Sequence, residues 1–120
     1  MVRKLGKSFH FAFRGIHHAV NTQRNFKIHL TAAVLVVIFA AVLKISVEEW
    51  VSLTLVVGMV LVSETLNTAI EEAVNLSSPS MHVIAEKAKD TAAAAVLISS
   101  ICAIITGVLI LGPRLIKVIF

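Results

Sequence analysis

The stretch WVSLTLVVGMVLVSETLNTAIEEAVN, residues 50–75, decides the fold of this chain. Residues 50–63 carry no charge, and Glu64, Glu71 and Glu72 then follow without a break in helical periodicity. An ionisable side chain at membrane depth is costly and usually marks a functional site. The stretch therefore predicts a membrane helix that ends in a polar functional surface.

The polar residues of this helix share one face. At 100° per residue, Glu64, Asn67, Thr68, Glu71 and Asn75 all project within about 60° of one direction. The carboxylates of Glu64 and Glu71 are then about 10.5 Å apart along the helix axis. That spacing suits one acid that acts on a lipid head group and a second that holds a metal-bound phosphate.

The composition places the whole chain in a membrane. Of its 120 residues, 58% are hydrophobic and 15% are charged, and the mean hydropathy is +0.91. These values are too apolar for an ordinary soluble domain. We therefore predict a single all-α membrane domain over residues 1–120, with three transmembrane helices at about 28–47, 50–74 and 91–112.

The N-terminal segment, at about residues 3–21, is a separate amphipathic helix. Its apolar side carries Leu5, Phe9, Phe13, Ile16 and Val20, and its opposite side carries mainly basic residues and histidines. This pattern is typical of a helix that lies in the head-group plane of a membrane. A helix packed against its own bundle has the same pattern, so the sequence leaves both arrangements open.

The distribution of charge predicts the orientation. Basic residues are concentrated before the first span and again at Lys87 and Lys89, whereas the loop between spans one and two holds Glu48 and Glu49. The positive-inside rule then places the N-terminus and the 71–90 segment in the cytoplasm. The net charge of +4 indicates attraction to a lipid surface, and no basic motif interleaved with aromatic residues indicates nucleic-acid binding.

The segment after the second span begins with a turn-rich cluster. Residues 77–80 read Ser-Ser-Pro-Ser and separate the acidic helix from a new helix starting near Met81. On that helix His82, Lys89 and Asp90 project to one side. The prolines at positions 79 and 113 are predicted to mark helix breaks rather than kinks within spans.

Carboxylates, a lysine and a lipid interface together fit phosphoryl transfer to a lipid alcohol. A carboxylate can act as general base, a lysine can neutralise phosphate charge, and Mg²⁺ needs few carboxylates when substrate phosphates complete its shell. The chain has neither a phosphate-binding P-loop nor the signature motifs of protein kinases. Two other interpretations stay open on the residues alone: a small oligomeric transporter of protons or cations, and a non-enzymatic membrane assembly factor.

Three motifs in order carry a resemblance to a known family. They are Arg24-Asn25-Phe26-Lys27-Ile28-His29 before span one, Glu64-x-Leu-Asn67-Thr-Ala-Ile-Glu71-x-x-Val at the end of span two, and His82 followed by Ala88-Lys89-Asp90-x-Ala-Ala-x-Ala-Val-Leu. With these motifs the chain resembles the prokaryotic diacylglycerol kinase and undecaprenol kinase family of small integral-membrane lipid kinases. The resemblance covers essentially the whole chain.

This resemblance implies a fold, a reaction and a location. Such proteins are homotrimers of three-span protomers with an N-terminal surface helix, and they reside in the bacterial inner membrane with the active site on the cytoplasmic side. They move the γ-phosphate of ATP, as its Mg²⁺ complex, to the hydroxyl of undecaprenol or diacylglycerol. Between these two alcohols, the residue 24–29 motif and the short N-terminus are closer to the undecaprenol type.

The resemblance also implies roles for individual residues. The implied roles are general base for Glu64, binding of the lipid substrate for Asn67 and Arg14, magnesium binding for Glu71 and Gln23, and nucleotide contact for His82, Lys89 and Asp90.

Two positions depart from the family pattern. Gln23 stands where a glutamate commonly serves as the second metal ligand, and Asn75 stands where an aspartate is common. An amide oxygen can bind Mg²⁺ but brings no charge. We therefore expect this site to bind Mg²⁺ more weakly than a site with both carboxylates.

Overall fold

A computed structural model describes residues 2–77 and 82–120, with side chains from Lys4 onward. Four helices make up this part of the chain: α1 (Val2–Thr22), α2 (Arg24–Val42), α3 (Val47–Ser77) and α4 (Val83–Ile119). The predicted all-α class is confirmed. The predicted helix start near Met81 and the predicted break at Pro79 lie outside the described residues.

Helices α2, α3 and α4 are each long and apolar enough to cross a membrane. At 1.5 Å per residue, α4 is about 55 Å long, which exceeds the roughly 30 Å of a hydrocarbon core. Both α3 and α4 therefore extend beyond the bilayer at one end or both. The prediction of three transmembrane helices is confirmed, and α1 is not one of them.

Helix α2 ends at Val42, earlier than the predicted limit of about residue 47. A Schellman motif ends it. The N–H of Lys44 donates to the Ala41 carbonyl at 3.2 Å, and the N–H of Ile45 donates to the Ala40 carbonyl at 3.3 Å. Lys44 occupies the left-handed position of the motif, with φ of 50°.

Helix α3 begins with a capping box formed by Ser46 and Glu49. The backbone N–H of Ser46 donates to Oε2 of Glu49 at 2.7 Å, and the N–H of Glu49 donates to Oγ of Ser46 at 3.3 Å. These two bonds satisfy N–H groups that have no partner within the helix. The α2–α3 connection is therefore a tight hairpin, and we call this end of the bundle the hairpin end.

The same Glu49 carboxylate joins α3 to the end of α4. Both terminal nitrogens of Arg114 donate to it, at 2.6 and 2.7 Å, in a two-point ion pair that is partly buried. Such fork-like pairs are among the stronger charge-assisted contacts in proteins.

The predicted helix break at Pro113 is wrong, because α4 continues through this residue to Ile119. A proline in a helix removes one backbone hydrogen bond, here the bond to the carbonyl of Leu109. Arg114 donates from its side chain to the Ile110 carbonyl at 3.1 Å, next to the lost bond. The Leu109 carbonyl is not the acceptor of that bond, so α4 tolerates the loss without replacing it, as membrane helices can.

The buried apolar core lies at the hairpin end. It consists of Ala40, Ile45, Leu53, Ile110 and Leu111, contributed by α2, the hairpin, α3 and α4. Helix α3 packs most extensively against α4, and α2 makes a smaller contact with α3. The polar face of α3 lies at the opposite end of the bundle, which we call the site end.

Helix α1 touches the bundle only near its C-terminal end. Ala19 is buried there, whereas Leu5, Phe9, Phe13 and Ile16 are all exposed. The structure thus favours the interfacial arrangement of α1 over packing of its apolar face against its own bundle.

Replacing Lys44 by glycine is expected to stabilise the protein. Glycine adopts positive φ without the steric cost that a Cβ brings, so Lys44→Gly should raise the free energy of unfolding by about 1 kcal/mol. The measurement is the thermal unfolding midpoint in detergent. Lys44→Ala is the matched control, because it removes the same charge but keeps the Cβ. An equal midpoint for the two variants would contradict the assignment of strain to this residue.

Candidate active site

The polar face predicted for α3 is buried at its centre. The Glu64 side chain is 2% exposed and Asn67 is 8% exposed, and Thr68 is also buried. The Thr68 hydroxyl donates to the Glu64 backbone carbonyl at 3.0 Å and therefore does not donate to the Glu64 carboxylate. An acid is therefore held inside an otherwise apolar helix bundle.

The Glu64 carboxylate makes no hydrogen bond with any residue in the described ranges 2–77 and 82–120. The ionisable side chains that act on it electrostatically are His29 of α2 and Glu71, two turns along α3. The sequence placed His29 in a motif but gave no sign that it approaches Glu64. That proximity arises from the packing of α2 on α3.

Asn67 lies between Glu64 and Glu71 along α3 and bonds to the second of them. Its Nδ2 donates to Oε1 of Glu71 at 3.1 Å. Its Oδ1 is fully buried and has no hydrogen-bond partner among the described residues. A buried acceptor without a partner is rare in proteins, and a bound ligand or water is one explanation for it.

Helix α4 contributes a cation and a capping histidine to the site end. Lys89 Nζ donates to Oδ1 of Asn75 at 3.1 Å, which joins the first turns of α4 to the last turns of α3. Because Asn75 is neutral, this bond leaves the lysine charge uncompensated. His82 caps α4, since its Nδ1 accepts the N–H of Ile84 at 3.2 Å. Asp90 is exposed on α4.

Gln23 and Arg14 come from the other side of the site end. Gln23 is partly exposed at the junction of α1 and α2, where it occupies the N-cap position without a side-chain capping bond. Arg14 is exposed on α1. No hydrogen bond among the described residues joins Gln23 to Glu71, so the structure does not itself pair the two predicted metal ligands.

The few oxygen ligands at the site end fit Mg²⁺ better than a metal ion that is held entirely by protein side chains. Within residues 2–77 and 82–120, no group of three or more His, Cys, Asp or Glu side chains could hold a metal ion. Mg²⁺ keeps several waters and is commonly bound by one or two carboxylates together with substrate phosphates. Glu71 is half-buried, and only one of its oxygens accepts a hydrogen bond from a described residue. Its second oxygen can serve as such a ligand.

One contact at the site end was missed by the sequence analysis. His18 of α1 and Glu72 of α3 lie 2.5 Å apart, measured from Nε2 to Oε1. The two residues are 54 positions apart in the chain, so no local periodicity could have predicted the contact. Only the docking of α1 brings them together.

An apolar groove leads from the site end towards the hairpin end. It has a volume of about 520 Å³ and is lined by α2, α3 and α4, with Ala33, Val60 and Gly107 among its walls. His29 stands at the end near Glu64, and Val60 precedes Glu64 by one helical turn. Glu64 itself does not line the groove; it lies one helical turn beyond the lining residue Val60.

Three long apolar helices with a buried acid at the site end are typical of a multi-pass membrane protein. The family model for prokaryotic diacylglycerol kinase matches residues 10–111. The chain belongs to this family and is a lipid kinase.

Two relatives show how far the similarity extends. An undecaprenol kinase of Bacillus subtilis is 41% identical over 109 residues, which cover 91% of this chain and 89% of the relative. A diacylglycerol kinase of Synechocystis is 40% identical over 111 residues, which cover 92% of this chain but only 63% of that relative. The family assignment decides between the kinase and transporter interpretations in favour of the kinase.

Proposed function

We propose that the protein transfers the γ-phosphoryl group of ATP to the hydroxyl of a membrane lipid alcohol, with Mg²⁺. The observation that carries this proposal is the Glu64 carboxylate, buried beside an apolar groove and one turn from the unpartnered Asn67 oxygen. A substrate with an apolar chain and a polar end fits both features.

Glu64 is the general base of the proposed reaction. It removes the hydroxyl proton of the lipid alcohol, and the alcohol oxygen forms a bond to the γ-phosphorus. The bond from that phosphorus to the β–γ bridging oxygen breaks, and ADP leaves. The free Oδ1 of Asn67 accepts a hydrogen bond from the polar end of the lipid, and Arg14 of α1 contacts the same substrate at the membrane surface.

The nucleotide lies on the α4 side of the site. Lys89 provides a positive charge for the phosphates, because its present partner is a neutral amide. His82 uses Nδ1 as the capping acceptor, which leaves Nε2–H as a donor for the nucleotide. Asp90, exposed in the next turns of α4, completes the proposed nucleotide contacts.

Glu71 is the proposed carboxylate ligand of the Mg²⁺ that accompanies ATP, with the Gln23 amide oxygen as a weaker second ligand. When bound, Mg²⁺ neutralises the charge that develops on the transferring phosphate. The Asn67 amide that donates to Glu71 orients this carboxylate.

Undecaprenol is the preferred lipid alcohol in this proposal. The undecaprenol kinase of Bacillus subtilis matches this chain over nearly its whole length, whereas the diacylglycerol kinase of Synechocystis is a longer protein. The groove next to Glu64 receives the first units of the apolar chain.

The proposed setting is the bacterial inner membrane, with the N-terminus and the site end in the cytoplasm. The concentration of bases in α1 and at the start of α4 supports this orientation. A homotrimer is the proposed assembly, and the exposed apolar surfaces of α2, α3 and α4 leave ample area for lipid and for neighbouring protomers.

Glu64→Gln tests the assignment of the base. The amide keeps the size of the side chain but takes no proton, so we expect at least a 100-fold loss in the rate of phosphate transfer, the usual contribution of a general base. The measurement is incorporation of labelled phosphate from ATP into lipid. Glu48→Gln, at the hairpin end of the same helix, is the control and should retain full activity. Undiminished transfer by the Glu64 variant would remove this residue from the mechanism.

The choice of lipid is tested with purified protein, ATP and Mg²⁺. We expect kcat/KM for undecaprenol to exceed that for diacylglycerol by about tenfold or more, because several apolar contacts of about 1 kcal/mol each distinguish the two chains. Both lipids are presented at equal mole fraction in the same mixed micelles. Equal or reversed values would contradict the proposed preference without contradicting the kinase reaction.

Gln23→Glu tests the second metal ligand. The substitution adds a negative charge where Gln23 would bind, so the Mg²⁺ concentration for half-maximal activity should fall several-fold. The activity is titrated with Mg²⁺ at fixed ATP. Asn21→Asp, two residues earlier in the chain, adds the same charge and controls for a general increase in negative potential. An unchanged Mg²⁺ requirement in Gln23→Glu would exclude this residue as a ligand.

A further inference from the structure

One polar contact, between His18 and Glu72, joins the surface helix α1 to α3. It joins Nε2 of the imidazole to Oε1 of the carboxylate at 2.5 Å. Among the side chains described in residues 4–77 and 82–120, it is the one polar contact between α1 and another helix. His17, the neighbouring histidine, contacts only Asn21 of its own helix.

Little else holds α1 to the bundle. Its apolar residues from Leu5 to Ile16 are exposed, and Ala19 is its one buried residue among the described side chains. A helix with so small an interface can occupy more than one position on a membrane surface. A single polar contact can then decide how often the docked position is occupied.

The contact stands next to the residues proposed to bind Mg²⁺. Glu72 directly follows Glu71 on α3. On α1, the Thr22 hydroxyl donates to the His18 carbonyl at 2.8 Å, and the Gln23 N–H donates to the Ala19 carbonyl at 2.9 Å. His18 and Gln23 therefore belong to the same end of α1, and docking of this end at His18 also brings the Gln23 backbone to the site end.

We propose that the His18–Glu72 pair is a positioning pair: it docks the last turn of α1 beside Glu71 and thereby sets the affinity of the site for MgATP. This inference rests on the proposed function. The two side chains are 49% and 52% exposed, so the pair shifts the docking equilibrium by only about two- to fivefold. When a binding-competent state is populated only in part, the apparent dissociation constant rises in proportion. Loss of the pair therefore raises KM for MgATP and leaves kcat unchanged.

A charge-swap series tests the proposal. His18→Glu places two carboxylates together, Glu72→His places two imidazoles together, and the double variant restores the pair with its partners exchanged. We expect KM for MgATP to rise about two- to fivefold or more in each single variant and to return to the wild-type value in the double variant. His17→Ala is the matched control and should keep the wild-type KM.

The split between KM and kcat separates positioning from stability. A general loss of folded enzyme lowers kcat and leaves KM unchanged, which would overturn the positioning role. A KM for MgATP in the double variant as high as in the single variants would also overturn it, because restoring the pair would then not restore the affinity. If the wild type is active and both single variants keep its KM for MgATP, this inference alone is contradicted. A wild type without ATP-dependent phosphorylation would contradict the proposed function.

A cross-link gives a readout that does not depend on activity. The described part of the chain has one free cysteine, Cys102, so His18→Cys with Glu72→Cys is made in a Cys102→Ala background. A bifunctional thiol reagent with a short, cleavable spacer should join the two cysteines within one chain in membranes and lower KM towards the wild-type value. Cleavage of the spacer should raise KM again. Links that form only between chains, or a KM unaffected by linking, would refute the proposed docking.

Discussion

The energetic cost of an ionisable side chain in an apolar environment governs this structure. Glu64 is buried on a helix that is long and apolar enough to cross a membrane, and a charge there is tolerated only when protein, rather than lipid, surrounds it. The packing of α3 against α4 and the approach of His29 from α2 provide that surrounding. The bundle therefore does more than span the membrane, because it creates a sheltered polar position at the edge of an apolar groove.

The two ends of the bundle are built differently. The hairpin end has the buried core, the Schellman motif, the capping box and the two-point ion pair of Glu49 with Arg114. The site end is held by single polar contacts, such as Lys89 with Asn75 and His18 with Glu72. A rigid end and a more adjustable end suit an enzyme that must admit both a lipid from the bilayer and a nucleotide from water.

Periodicity made the fold and the α3 face predictable. The spacing of Glu64, Asn67 and Glu71 along one helix places them together whatever the rest of the chain does, and the bond from Asn67 to Glu71 is a local one. The contacts of His18 and of Arg114 could not be predicted, because they depend on how separate helices dock. Pro113 was misjudged because a proline removes one backbone hydrogen bond without necessarily ending a membrane helix, and α4 continues to Ile119.

Glu49 has two functions at once, since its oxygens satisfy the first turn of α3 and bind the guanidinium of Arg114 near the end of α4. Positions 46, 49 and 114 are consequently coupled physically: a change at any of them alters the environment of the other two. Substitutions acceptable to one partner should therefore appear in relatives together with compensating changes at the others.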